Sequence, residues 1–287
     1  MTEQVKKTIQ EKLIQYCQVK GSQNKAANSM QGVSSTVISR IISGEWQLIA
    51  DTMWRTVAGY VGYEANEWQV VETRAYARMH AVLADAQDNS LVFAVTGDAG
   101  CGKSETIKNY EKNNNNVIAL SCNEYWNRKM FIMQLMRACG MDSSGCTVGE
   151  MIQDCIAEIK KREKPIIILD EADKLSDQVL YFFITIYNQL EDQCGIVLAA
   201  TDYLEKRIKK GVRVNRKGYK EIFSRIGKKF IQLQVVNYAD VAAVCKANGV
   251  EDAKVIRTIH EDCDCDLRRV KRLIHAYKKT QNENTDK

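Results

Sequence analysis

Residues 91–106 read LVFAVTGDAGCGKSET. An apolar run ends at Thr96, a loop with glycines at 97, 100 and 102 follows, and the loop closes on Lys103 and Ser104. Gly97, Gly102, Lys103 and Ser104 satisfy the spacing G-x-x-x-x-G-K-[ST], and the order strand, loop, helix is the context that spacing needs. Glycines let the backbone curl until its N–H groups point inward at phosphate oxygens. The helix opening near Lys103 adds the positive end of its dipole. In that arrangement Lys103 reaches the β- and γ-phosphates and Ser104 sets its hydroxyl on Mg²⁺. The expected ATP-binding segment is therefore Gly97, Asp98, Ala99, Gly100, Cys101, Gly102, Lys103, Ser104 and Glu105.

Outward from this loop, short apolar runs alternate with helical stretches. VIALSC (117–122), IIILDE (166–171) and GIVLAAT (195–201) read as three more strands. Helices are expected at 74–87, from 103, and at 126–139, 147–162 and 176–191. Continuous apolar runs of four to six residues, separated by helices, predict a parallel sheet covered on both faces. From about 238 onward only helical periodicity remains. The single proline, Pro165, stands at the start of the third strand.

In IIILDEAD, Asp170 and Glu171 emerge at the C-terminal end of a strand, where ligands sit in open parallel sheets. Asp170 is expected to hold Mg²⁺ with Ser104, and Glu171 to orient and polarise the attacking water. The letters DEAD invite a helicase reading, but such enzymes need two tandem sheet domains and this pattern supplies one.

These motifs, with three further positions, resemble the AAA+ ATPase family. Thr201 stands where that family carries its sensor 1 residue. In FSRI, Arg225 follows a helix, where such proteins project an arginine finger into the neighbouring subunit's site. DCDLRRVKRLI resembles the sensor 2 helix, with Arg268 at the phosphate-contacting position and Arg269 as the adjacent alternative. The resemblance implies a fold of class α/β: an AAA+ P-loop core with a parallel sheet (63–237), an N-terminal all-α helix-turn-helix module (1–62) and a small C-terminal helical lid (238–287). The catalytic set it implies is Lys103, Glu171, Thr201, Arg225 and Arg268. A finger supplied in trans implies a head-to-tail homo-oligomer, either a ring or a helical filament.

At the front, SQNKAANSMQGVSSTVISRIISGEWQ (22–47) pairs small residues at 26 and 27 with a glycine turn, and its second helix carries Val37, Ile38, Ile41 and Ile42 on one face. This resembles a lambda-repressor type of helix-turn-helix, in which Ser34, Ser35, Thr36, Ser39 and Arg40 would face the major groove. The alternative is a small bundle for protein contacts. YWNRKM (125–130) places Arg128 and Lys129 where related proteins line a DNA channel. Residues 205–229 hold eleven Lys and Arg against two Glu, a local charge of +9 in a chain of net charge +5. Part of that run is expected at a subunit interface, with the rest left open between that interface and a surface for an anionic partner.

The whole layout resembles the Mu B family of phage transposition proteins, including the segment 71–104, where Thr73 and Arg74 are placed near the adenine. The resemblance implies ATP and Mg²⁺ as cofactors, and duplex DNA and a DDE transposase as partners. It also implies target selection by an ATP-dependent filament that hydrolysis disassembles. An ATP-switched DNA-binding regulator and a replication-protein loader remain alternatives. Ten irregularly spaced cysteines and no apolar segment of spanning or secretory type lead us to expect a cytoplasmic protein with reduced thiols and no membrane partner. The C-x-C pair at 263 and 265 lacks a second pair at zinc-finger spacing.

Overall fold

The computed structural model describes residue 1, residues 3–63 and residues 68–285. The segment 62–74, whose polar, aromatic-bearing sequence reads as a linker, lies partly outside the described residues, at 64–67.

Four helices open the chain: α1 (Glu3–Lys20), α2 (Gln23–Ser29), α3 (Ser35–Ser43) and α4 (Asp51–Tyr60). They enclose an apolar cluster of their own, with Ile9 and Leu13 of α1, Ala26 and Ala27 of α2, Ile38 and Ile41 of α3, and Trp54 and Val57 of α4. Ser34 caps α3 by accepting from the Val37 N–H, and Gly44 ends it in the left-handed conformation.

The core then alternates. Its first half is α5 (Arg74–Asn89), β1 (Val92–Thr96), α6 (Lys103–Asn113), β2 (Val117–Ser121), α7 (Arg128–Ala138) and α8 (Val148–Lys160). Its second half is β3 (Ile166–Asp170), α9 (Asp177–Leu190), β4 (Gly195–Ala200), α10 (Asp202–Arg213), α11 (Tyr219–Arg225) and β5 (Phe230–Gln232). Three helices close the chain: α12 (Tyr238–Ala247), α13 (Ala253–Asp262) and α14 (Leu267–Thr285).

The strands form one parallel sheet in the order β2-β3-β4-β1-β5. Why the strands read as unbroken apolar runs is visible in their alternation. Val95, Ile166, Ile168, Val197 and Ala199 face one cluster, with α5, α6 and the closing helices. Ala94, Ile167, Leu169, Ile196 and Leu198 face the other, with α7 to α11. With both faces covered, polar residues are confined to the C-terminal ends of the strands, at Thr96, Ser121, Asp170 and Gln232. The closing helices share their apolar cluster with the sheet, through Val241, Val244, Ile256, Ile259 and Val270.

Two details depart from the sequence reading. Helix α7 starts at Arg128 rather than 126, because Asn127 caps it by accepting from the Met130 N–H and Trp126 turns inward. The fifth strand was not anticipated. It is three residues long, lies at the sheet edge, and follows directly on the basic run, so neither length nor apolar content marks it. Among the described residues no helix is long and apolar enough to cross a membrane, and the ten cysteines are unbridged.

Candidate nucleotide-binding cleft

The sheet order puts β1 inside the sheet and sends the chain after it to the far edge at β2. The loop 97–102 therefore leaves the C-terminal end of a central strand, above the sheet, where parallel sheets bind ligands. A cleft of about 410 Å³ opens there. Its polar half is lined by Ala99, Gly100, Gly102, Lys103, Ser104, Glu105, Asp170, Glu171, Asp173, Lys174, Thr201 and Arg268. Gly97, Asp98 and Cys101 belong to the loop without lining the cleft. The Cys101 side chain turns into the apolar interior, and its sulfur accepts weakly from Lys103 Nζ at 3.7 Å.

Lys103 Nζ donates to the carbonyls of Gly97 (2.7 Å) and Asp98 (2.9 Å), so the loop holds its own ammonium group over its rim. The first N–H groups of α6 have no acceptor within the helix and point at the same space. Gly100 is required by its surroundings as well as its φ of +79°: a Cβ there would lie 2.0 Å from Asp266 Oδ1. The Leu267 N–H donates to the Gly100 carbonyl (3.0 Å), and Arg268 N–H to Asp266 Oδ1 (2.7 Å). The start of α14 is thus seated directly on the loop. Arg268 lines the cleft and Arg269 does not.

Asp170 is 6% exposed. Burial raises its pKa above the ordinary carboxylate value, opposed by hydrogen bonds from the Ser104 hydroxyl and the Glu171 N–H, the latter at 2.9 Å. A serine hydroxyl beside a carboxylate is a pair of hard oxygen ligands of the kind that suits Mg²⁺. Glu171 has φ 54° and ψ 37°, a left-handed conformation that costs a non-glycine residue about 1–3 kcal/mol and recurs at active sites. Its carboxylate pairs with Lys174 Nζ at 2.7 Å. The Thr201 hydroxyl donates to Asp173 Oδ2 at 2.7 Å.

The other half of the cleft is apolar and was missed by motif reading. Trp68, Val70, Val71, Tyr76, Val244 and Leu267 line it together with Thr73, and Lys271 Nζ sits 5.2 Å from the Trp68 ring centroid. The signal was the cluster W-x-V-V just ahead of Thr73, in the stretch read as linker. Residues 68–71 instead form a wall of the cleft, held by reciprocal hydrogen bonds between the Gln69 backbone and the Asn248 side chain (3.0 and 3.1 Å). Thr73 is buried and caps α5, while the Arg74 guanidinium goes to Asp240 and the Val235 carbonyl rather than to the cleft.

A glycine loop, an acidic strand end and a polar residue just past the neighbouring strand therefore meet an apolar slot. The sequence model of the AAA domain family matches residues 86–208, a span that includes the loop, Asp170, Glu171 and Thr201. The Mu-like prophage FluMu DNA transposition protein B of Haemophilus influenzae (strain ATCC 51907 / DSM 11121 / KW20 / Rd) is similar over 196 residues, at 26% identity and 67% of each chain. Residues 86–208 thus resemble an AAA domain, and the chain is similar to a Mu-like transposition protein B.

The remaining expected residues lie away from the cleft. Arg225, the last residue of α11, lies over the Tyr187 ring (5.2 Å to the centroid) and donates to Asn188 Oδ1 at 2.7 Å. It lines a second hollow with Leu91, Val92 and Cys194, at the N-terminal ends of β1 and β4. Arg128 and Lys129 are exposed at the start of α7, next to an exposed Tyr125. On α3, Thr36, Ser39 and Arg40 are exposed and Ser35 is half-buried; exposed Ser34 already uses its hydroxyl as the cap. The basic run forms α10 and α11. Lys206 and Lys209 pair with Asp202 and Glu205 (both 2.5 Å), and Lys210, Arg213, Lys217 and Lys220 are exposed.

Proposed function

We propose that this chain is an AAA+ protein of the Mu B family, an ATP-hydrolysing DNA-binding protein that assembles head to tail on duplex DNA, as a helical filament, and delivers target DNA to a DDE transposase. The observation that carries the assembly is a separation. The cleft lies beyond the C-terminal ends of the strands and Arg225 at their N-terminal ends. Strand β1 spans five residues, roughly 13 Å at strand rise. Arg225 cannot serve its own cleft, so its use as a finger requires a second copy. The transposition reading is supported by the similarity to the Haemophilus influenzae DNA transposition protein B.

Within the cleft the loop N–H groups and the cationic side chains of Lys103, Lys108, Arg268 and Lys271 receive the triphosphate, and the Trp68 slot receives the base. Ser104 and Asp170 would hold Mg²⁺, which when bound neutralises charge between the β- and γ-phosphates. Lys103 exchanges the carbonyls of Gly97 and Asp98 for phosphate oxygens. Glu171 orients the attacking water, with the Lys174 ammonium paired beside it. Thr201, held by Asp173, faces the γ-phosphate. Arg225 of an adjacent copy meets the charge of the transition state, so ATP favours assembly and hydrolysis loosens it. Arg128 and Lys129 neutralise phosphates of the duplex, and Ser34, Ser35, Thr36, Ser39 and Arg40 offer the front module a second contact.

Electron microscopy of the protein with duplex DNA and ATP tests this reading. Long helical coats are expected, persistent in Glu171→Gln and dissolving in the wild type as ATP is consumed. Bare duplex at saturating protein refutes the filament. Coats whose lifetime ignores Glu171→Gln leave ATP as a static switch, as in a regulator.

A further inference from the structure

Arg207 lies in the run of 205–229 whose charge suggests a partner surface, yet its guanidinium is turned inward and is largely consumed. Nη1 donates to the Leu175 carbonyl at 2.7 Å and to the Asp173 carbonyl at 3.3 Å. Nη2 pairs with Asp177 Oδ1, and Nε donates to the Tyr219 hydroxyl at 3.1 Å. Tyr219 completes the cluster by donating to Asp177 at 2.6 Å. Burial pushes the Asp177 carboxyl up, but the hydrogen bonds from Tyr219 and Arg207 and the charges of Arg207 and Arg216 outweigh it and hold it below its ordinary value.

The two carbonyls belong to the short 3-10 turn that leaves Glu171 (Ala172–Lys174) and to Leu175, which ends it; the Ala172 and Leu175 side chains are buried in the core, and Arg207 binds the turn's carbonyls to α10. Asp173, whose carbonyl Arg207 takes, is also the residue whose carboxylate fixes the Thr201 hydroxyl. The left-handed conformation of Glu171 persists only where its surroundings over-determine it, and Arg207 supplies that constraint from α10. Tyr219 begins α11, whose last residue is Arg225. We infer that Arg207 is a positioning residue for ATP hydrolysis: it holds the turn after Glu171 against α10, keeps Glu171 and Thr201 aimed at one point, and joins that turn to the helix bearing Arg225. A planar fork is needed, since a lysine ammonium on a flexible stem cannot bind two carbonyls, a carboxylate and a hydroxyl in fixed directions.

This inference rests on the ATPase reading above. Its test is steady-state ATP hydrolysis by the full-length protein, together with equilibrium binding of a fluorescent ATP analogue. Arg207→Ala is expected to lower kcat about tenfold or more while nucleotide affinity stays within about twofold, the pattern of a loss confined to the transition state. Arg207→Lys is expected not to restore the rate. Tyr219→Phe, which keeps the ring and removes two hydrogen bonds, is expected to lower kcat about two- to threefold. A folded Arg207→Ala with wild-type kcat, or one in which affinity falls in proportion to rate, overturns the inference. If Arg207→Ala shows no cooperative melt, Tyr219→Phe decides, and an unchanged kcat there overturns it equally. A wild type without turnover sensitive to Glu171→Gln overturns the ATPase reading first and the inference with it.

Discussion

Asp170 shows how a single residue sets function against stability. It is buried, its pKa is raised by that burial, and the Ser104 hydroxyl, the Glu171 N–H and the Lys103 charge offset part of the cost. A carboxyl whose folded pKa lies above its unfolded value stabilises the fold below the unfolded value, and that contribution is lost as pH rises through the folded one. At neutral pH the ionised group is therefore a net cost in the protein without metal. Asp170→Asn keeps the shape, can still accept from the Glu171 N–H, and should raise stability by about 1 kcal/mol in metal-free buffer. The same substitution should lower ATP hydrolysis about a hundredfold or more, because an amide is a poor Mg²⁺ ligand. Thermal melts and phosphate release measure the two effects; a mutant that melts below the wild type contradicts the account of Asp170. Glu171 is the complementary case, its strained backbone followed by a turn that Thr201 and Arg207 hold through Asp173.

At the scale of elements, two glycines make a matched pair. Gly195 opens β4 where α5 crosses it, and a Cβ there would stand 2.2 Å from the Ala86 carbonyl oxygen, a backbone atom that cannot swing aside. Gly59 is exposed near the end of α4 with nothing within 4 Å of an added Cβ. Gly195→Ala should destabilise by about 3 kcal/mol or more through overpacking. Gly59→Ala should stabilise by about 0.5–1 kcal/mol through helix propensity and lost unfolded-state entropy. Urea midpoints of the two variants should move in opposite directions; equal shifts would mean that α5 does not ride on β4 as closely as described. The same tight approach lets α5 and the segment before it form one wall of the cleft.

Across the whole molecule, ion pairs tie distant parts of the chain together. Arg74 and Asp240 join α5 to α12 (3.1 Å); Lys25 and Glu158 join the front helices to α8 (2.9 Å). Burial pushes Asp240 up, but backbone hydrogen bonds from Asn237 and Arg74 and the Arg74 guanidinium outweigh it and hold its pKa below the ordinary 3.8. Asp177 is shifted the same way. Carboxyls depressed on folding stabilise the native state above their unfolded value, and that contribution is lost as pH falls through the folded values. Stability should therefore drop below about pH 4. Arg74→Ala should flatten this acid limb while costing about 1 kcal/mol at pH 7, since half of that side chain is solvent-exposed. An acid titration by circular dichroism measures both, and identical acid limbs would remove the Arg74–Asp240 pair from the account. For DNA, Lys129→Ala should shallow the slope of log K against log salt by about one, uniformly across sequences. An unchanged slope takes Lys129 off the duplex.

How much of this was legible beforehand differs from one residue to the next. Glycine spacing, the acidic pair after four apolar residues, and the alternation of buried runs with helical stretches are local patterns. Each follows from what one short segment must do, and so the sheet class, the phosphate loop, Asp170 and Glu171 could be read directly. The apolar half of the cleft, from Trp68 through Tyr76 to Val244 and Lys271, could not be read, because its parts are far apart in the chain and each looks like ordinary core or linker. The edge strand at 230–232 is too short to carry a period. The inward turn of Arg207, within a run whose composition points outward, depends on where α10 lies against α9. Local chemistry is written in the order of residues, whereas neighbours across the fold are chosen by packing, and packing alone decided which arginine sits in the cleft, which braces it from behind, and which is left at the opposite end of the sheet.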